Sequence, residues 1–490
     1  MNDIKTSSFW RWRVAIFLST LIILGSFSLF VQPQSTIDAC YYQMIVNQLA
    51  SGKGFTEPVV WHYLNQYDDL EHPMDYWLPL GIIFYKITRY FAGEDREVWI
   101  NFIIWSILAT LIFVEVLKVT GKVNWALLAV FAHIFHGRNF FYLFTTDNFA
   151  FSAILGFMFF RSLNKARYNY LYSGLVSGLL CLLRIEGILI AAFGLFCLII
   201  KKSNLNSLLI YVVIVMCITS PWIFRNLHTL NKPWTSNTKA LFLNSYQDFF
   251  NDGFEGNCET YFAQPLETIL RQKYQGFLAG LSNLVIVPAQ FLLFPLLFVG
   301  IAKLWGSNGC IFCALLSMLW AACTLLFPVQ AQFGTAMHIS SFFYPDIAIF
   351  IGIGSATIAE RFNLTQTTAS ITTFFIAIWF LFTSLAFCRH FVELYNKSQQ
   401  PYKEALSGNA LSPTDRVVSS NPILTNILQG CKGALASGLT TSSPEKISQK
   451  YDCNVIITDT RDLHKEKLDS KFWLPINSHP IIRIYKRSEK

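Results

Sequence analysis

The stretch Val14–Val31, VAIFLSTLIILGSFSLFV, runs eighteen residues without a charge. A helix of that length reaches across the roughly 30 Å hydrocarbon core of a bilayer. Lipid offers no partners to backbone N–H and C=O groups, so a spanning segment satisfies its own as a helix or joins a closed barrel. Outward from this stretch the pattern repeats: Phe312–Phe327 and Ile371–Phe387 are equally free of charge. The runs are continuous rather than alternating, which selects helices over strands. Of the 490 residues 53% are hydrophobic and 14% charged, against about 25% charged in soluble domains. The expected class is an α-helical polytopic membrane protein, not a soluble globule, and no nucleic-acid partner is expected.

The apolar run at 14–31 exceeds the core of a secretory signal, and FVQPQSTIDA offers no small-residue cleavage site after it. The first span is therefore read as uncleaved. Eleven candidate spans follow: 14–31, 98–118, 123–143, 147–162, 168–183, 186–200, 205–220, 276–302, 307–329, 338–360 and 367–388. Lys5, Arg11 and Arg13 place the N-terminus in the cytoplasm. Lys118, Lys122, Arg161, Lys165, Arg167, Lys201, Lys202, Lys303 and Arg361 place further loops there. One apolar segment, 76–93, breaks this alternation if it crosses. It carries Lys86 and Arg89, with Asp95 and Arg96 following, and is read as an interfacial helix on the outer surface. The large loops 32–97 and 221–275 then face outward from a transmembrane domain of residues 1–390, and the expected location is the plasma (inner) membrane.

From about residue 391 the composition becomes that of a soluble domain. DRVVSSNP reads as a strand ending in a turn. Ser443, Pro444 and Glu445 open a helix as cap, first-turn proline and dipole-complementing acid. NVIITDT and PIIRIYKR read as strands. Residues 391–490 are expected to form a small α/β extracytoplasmic domain that binds or packs rather than catalyses. Cys431 and Cys453 are open to pairing there; the other cysteines mostly sit in apolar runs as small buried hydrophobes.

The polar residues fall into short groups. Asp38 follows the first span and precedes an amphipathic helix; it complements that helix's dipole or carries chemistry. Glu71-His72-Pro73 lies within an acidic and His run from Asp68 through Asp75 to Trp77, either a solvated loop or part of a site. Thr145-Thr146-Asp147-Asn148 opens a span and is either a cap or functional. Leu183-Arg184-Ile185-Glu186-Gly187 interrupts an apolar stretch, where charges pair with each other or face a cavity. Pro221-Trp222-Ile223-Phe224-Arg225-Asn226 and a stretch from Gly334 through His338 to Pro345 complete the set. The charge-derived topology puts all of them on one side of the membrane, which independent caps and turns do not require.

In order and sidedness these groups resemble the polytopic glycosyltransferases of the GT-C fold. These include protein O-mannosyltransferases and the enzyme that adds aminoarabinose to lipid A. Asp38 with YYQMIVNQLASGKGFTEP resembles the family's first loop, and Glu71-His72-Pro73 its juxtamembrane element. Asp147 resembles the second acidic residue. LLRIEG, PWIFRN and GTAMHISSFFYP resemble three later elements, and the C-terminal domain an outer domain of many members. The resemblance implies transfer of one sugar from a polyprenyl-phosphate donor, with inversion, to a lipid, protein or polysaccharide acceptor on the outer face. Asp38 is the expected base, with Asp147 sharing the role or positioning the acceptor. Glu71, His72 and Glu186 are expected to position substrate; Arg184, Arg225 and His338 are expected to bind the donor phosphate. Membrane lipids are the other expected partners. No cofactor is called for, and a divalent metal is left open. A transporter or flippase is the alternative reading.

Overall fold

The computed structural model describes residues 6–94, 96–164, 169–291, 293–407, 411–437, 439–461, 468, 472–477 and 479–488. Lys5, Asp95, Lys165 and Arg167, used above for topology, lie outside them. The chain forms two compact units, one of residues 1–33, 78–224 and 273–391, the other of 34–77, 225–272 and 392–490.

The first unit is helical. Four described helices are long and apolar enough to cross a bilayer: Phe9–Phe30, Trp99–Thr120, Leu205–Leu230 and Gln366–Ser407. A pair bent by 106°, Cys310–Leu325 with Pro328–Ser341, makes a fifth if counted as one span. At the unit's centre lies Tyr344–Arg361, buried on every side along its first half, as an all-round apolar helix must be. It lies against Phe294–Lys303 at a distance set by two glycines. A side chain at Gly300 would strike the backbone of Phe350, and one at Gly354 the backbone of Leu296. Close backbone approach through small residues is how helices associate where lipid removes the hydrophobic drive.

Two segments read as continuous helix are broken. The stretch 123–143 divides into Val123–Ile134 and Asn139–Tyr142, because Gly137 between them turns with φ +57°. The stretch 276–302 is interrupted at Gln290 and Phe291, both at positive φ. Gln290 is held in that strained geometry from two sides: its Nε2 donates to the Phe135 carbonyl (3.0 Å) and its Oε1 accepts from Thr383 (2.7 Å). The segment expected to end at 220 instead continues as Leu205–Leu230 with Pro221 inside it. A proline removes one ladder hydrogen bond, and the apolar residues on both sides carry the helix past it. Arg225 therefore sits on a helix rather than in a loop. The segment 76–93 is a helix over Pro79–Ala92, opened by Pro79 and closed at Gly93. Pro79, Leu80, Gly81, Ile82 and Tyr85 are buried, while Ile83, Phe84, Ile87, Tyr90 and Phe91 are exposed.

The second unit is built on a six-stranded sheet in the order Val59–Val60, Lys432–Leu435, Arg416–Ser419, Val455–Asp459, Ile482–Arg487, Trp473–Pro475. The first four strands are parallel and the last two pairings antiparallel. The strands expected from DRVVSSNP, NVIITDT and PIIRIYKR are present, as is the helix Pro444–Lys450 with Ser443 as its cap. Between them runs Pro422–Gln429, whose cap Asn421 accepts from the Leu424 N–H and whose end is the left-handed Gly430. Val59 and Val60 enter from the first loop and pair with Gly433 and Ala434. Cys431 and Cys453 are each free.

Candidate active site

In the helical unit, Asp147 sits in the turn before the helix Phe149–Asn164 and is 1% exposed. Its Oδ1 accepts the Asn148 N–H at 2.7 Å and lies 3.7 Å from Nδ1 of His338. His338 comes from the short helix Ala336–Ser341 and packs its ring against Phe149 at 4.7 Å. Arg184 and Glu186 occupy the break between Asn169–Leu183 and Gly187–Ile200. They pair through two contacts, Nε to Oε2 at 3.2 Å and Nη2 to Oε1 at 3.0 Å. A planar fork meeting a carboxylate in this way is the strong form of such a pair. Ser152, Arg184, Glu186 and His338 form the polar lining of one small cavity, with Leu180, Ile190 and Phe342 in its apolar wall. Four of the eight residues singled out in the sequence thus meet here: Asp147 touches His338, and His338 shares the cavity with Arg184 and Glu186.

The turn that carries Asp147 is anchored from below. Asn101, fully buried in the helix Trp99–Thr120, donates to the carbonyls of Leu143 (3.2 Å) and Thr145 (2.9 Å). The Tyr85 hydroxyl donates to the Asp147 carbonyl at 2.5 Å and lies 3.2 Å from Asn101 Oδ1. The Thr146 N–H donates to the Pro33 carbonyl. None of these anchors was singled out in the sequence. A lone Asn inside an apolar span was the available signal, because polar groups at such depth need partners.

The other four residues belong to the second unit. Asp38 is half-buried in the first turn of Ile37–Ala50, a helix capped by Thr36. Glu71 pairs with Lys432 at 2.6 Å and Lys53 at 3.7 Å; the hydrogen bond from Lys432, before any other influence, holds its carboxyl below the usual range. His72 stacks on Tyr67 at 3.7 Å, and burial lowers its pKa. Arg225 donates to the carbonyls of Met74 (2.5 Å) and Phe55 (2.6 Å).

A group centred on Glu57, which does not stand out in the sequence, lies in the same unit. Glu57 and Asp75 are both fully buried. Glu57 accepts from Tyr41 (2.6 Å), Trp61 (2.9 Å) and the Asp75 N–H (3.1 Å). Asp75 accepts from Tyr67 (2.8 Å), Ser236 (3.2 Å) and Asn65, and His62 Nε2 lies 3.7 Å from it. Burial, then the charge of Asp75, pushes the Glu57 carboxyl up to about 8. Burial pushes His62 down to about 4. Glu57 stands alone in its stretch of sequence, so only folding reveals its partner.

No protein-family model matches the sequence, and no curated protein matches it. Among solved structures, the chain is similar to the crystal structure of ArnT from Cupriavidus metallidurans in the apo state. The two are 10% identical, with a TM-score of 0.58 over 96% of this chain and 97% of that one. At that identity the likeness speaks to architecture alone: the chain shares the overall fold of that structure, and several of its described helices are long and apolar enough to cross a membrane.

Proposed function

We propose that this protein is a membrane glycosyltransferase that moves one sugar from a polyprenyl-phosphate carrier to an acceptor on the extracytoplasmic face, with inversion. The observation that carries the reading is a cavity in the helical unit lined by buried Arg184, Glu186 and His338, with buried Asp147 beside His338. A scaffold has no use for such charges buried among apolar helices, where they are unfavourable unless they pair or face a cavity. The ArnT-like fold supports the reaction class.

In this reading a carboxylate removes the acceptor proton as the glycosidic bond to phosphate breaks. Asp38 is the proposed base and Asp147 positions the acceptor. Glu71, His72 and Glu186 help to position substrate. Arg184, Arg225 and His338 offset the charge that develops on the departing lipid phosphate. The Glu186 carboxylate holds the Arg184 guanidinium in a fixed plane, so little reorganisation is needed when phosphate arrives.

The proposed topology has eleven spans, with a cytoplasmic N-terminus and the Pro79–Ala92 helix lying along the outer surface. Residues 1–390 form the transmembrane domain, and loops 32–97 and 221–275 face outward with the 391–490 domain. Segments 34–77, 225–272 and 392–490 fold as one unit, which supports placing all three on one side. The exposed Ile83, Phe84, Ile87 and Phe91 suit a helix half-sunk in lipid.

A transporter is the second reading, favoured by the 106° bend ahead of His338, since transporters bind substrate at broken helices. One experiment separates the two. Purified protein in detergent is incubated with polyprenyl-phosphate hexoses and pentoses, and free sugar and free lipid phosphate are measured by mass spectrometry. The glycosyltransferase reading expects cleavage of at least one donor. Binding without cleavage of any donor, including in the presence of membrane-extract acceptors, sinks it.

A further inference from the structure

We infer that Tyr85 and Asn101 are positioning residues for Asp147, an inference that rests on the glycosyltransferase reading. The turn from Leu143 to Asn148 lies between two helical stretches, Asn139–Tyr142 and Phe149–Asn164. Its carbonyls therefore lack the regular ladder partners that would fix them. Two side chains from elsewhere supply them. Asn101 takes the carbonyls of Leu143 and Thr145, and Tyr85 takes the carbonyl of Asp147 itself. The two are also joined to each other, with the Tyr85 hydroxyl 3.2 Å from Asn101 Oδ1. Three of the turn's carbonyls are thus held by one buried pair.

The fit around this pair is tight. Gly81, one helical turn before Tyr85, lies so close to Asn148 that any side chain there would run into the Asn148 amide. The helix Pro79–Ala92 therefore meets the turn twice, at Gly81 and at Tyr85. Both Tyr85 and Asn101 are 0% exposed, so water does not compete for these hydrogen bonds, and losing one leaves a buried carbonyl unsatisfied.

The consequence is directional. The Tyr85 hydroxyl bonds the Asp147 main-chain carbonyl, and so fixes the main chain from which the carboxylate extends toward His338. Displacing a reacting group by about 1 Å can slow a reaction by about a hundredfold. Removing the hydroxyl should therefore reduce turnover while donor affinity, set by other residues, stays the same.

The test uses full-length Tyr85→Phe in detergent, with Asn101→Ser as a second variant in case the first does not fold. Two quantities are read: kcat and KM on a polyprenyl-phosphate sugar that the wild type cleaves, and amide hydrogen exchange over residues 143–148. The expected result is a kcat lower by about ten- to hundredfold, an unchanged KM, and faster exchange confined to that turn. A variant with wild-type kcat, an equal change in KM, or unchanged exchange in 143–148 overturns the inference. Failure of the wild type to cleave any donor is a different result: it removes the glycosyltransferase reading, and the exchange measurement still decides whether Tyr85 holds the turn.

Discussion

Nδ1 of His338 lies 3.7 Å from Oδ1 of Asp147, and both side chains are buried. The two residues are far apart in sequence, and His338 lies on the second arm of the helix pair Cys310–Leu325 and Pro328–Ser341, bent by 106°. His338 also lines the cavity that Arg184 and Glu186 line.

Replacing His338 with Ala should reduce sugar transfer by roughly a hundredfold, the usual effect of losing one charge-stabilising group in a water-poor site. Steady-state kinetics on a cleaved donor, with folding checked by size-exclusion chromatography, measures it. Transfer at the wild-type rate would remove His338 from the phosphate-binding role.

Glu186→Ala should destabilise the protein by about 3–5 kcal/mol, because it strands a buried guanidinium. The double variant Arg184→Met with Glu186→Leu should be less destabilised than Glu186→Ala alone, since neither charge remains to be desolvated. Thermal unfolding in detergent compares the three proteins.

Glu57 gives the second unit a pH dependence of known sign. Its carboxyl is raised by burial, then by Asp75, from 4.5 to about 8. The folded state therefore holds a proton that the unfolded state releases. Its contribution is full below about 4.5 and is lost as pH rises toward 8, by at most about 1.4 kcal/mol per pH unit. His62, lowered by burial from 6.5 to about 4, acts the other way and gives stability that rises between those values. Above pH 6.5 only the Glu57 effect remains of the two. Thermal midpoints taken from pH 6.5 to 8 should fall in the wild type and fall less in Glu57→Gln.

Gly354→Leu should prevent the close approach of Tyr344–Arg361 to Phe294–Lys303. The added side chain meets the Leu296 backbone, which cannot give way as a flexible side chain can. Overpacking of this kind is expected to destabilise by about 1–3 kcal/mol or more, read as a lower thermal midpoint and a lower yield of monodisperse protein.

The helices were legible because their apolar runs are long and continuous, a property of local sequence. Their breaks were not. Gln290 and Phe291 hold positive φ because of bonds to Phe135 and Thr383, and nothing near 290 announces those partners. The strands of the C-terminal domain were visible as β-branched runs, whereas Val59–Val60 is two residues long and its partners, Gly433 and Ala434, lie more than 370 positions away. Asp147, His338, Arg184 and Glu186 could be picked out because polar residues stand out against apolar neighbours. Glu57, which becomes the partner of Asp75, lies in an ordinary polar loop and does not stand out. Tyr85 reads as one more aromatic on an apolar helix until its hydroxyl is seen on the Asp147 carbonyl.

In the proposed reaction a carboxylate of this protein takes the acceptor proton during sugar transfer. The most direct measurement compares wild type and Asp38→Asn, equally folded, for turnover of a polyprenyl-phosphate sugar that the wild type uses. Transfer should be lost in Asp38→Asn while donor binding persists. Turnover equal to the wild type in that variant would contradict it.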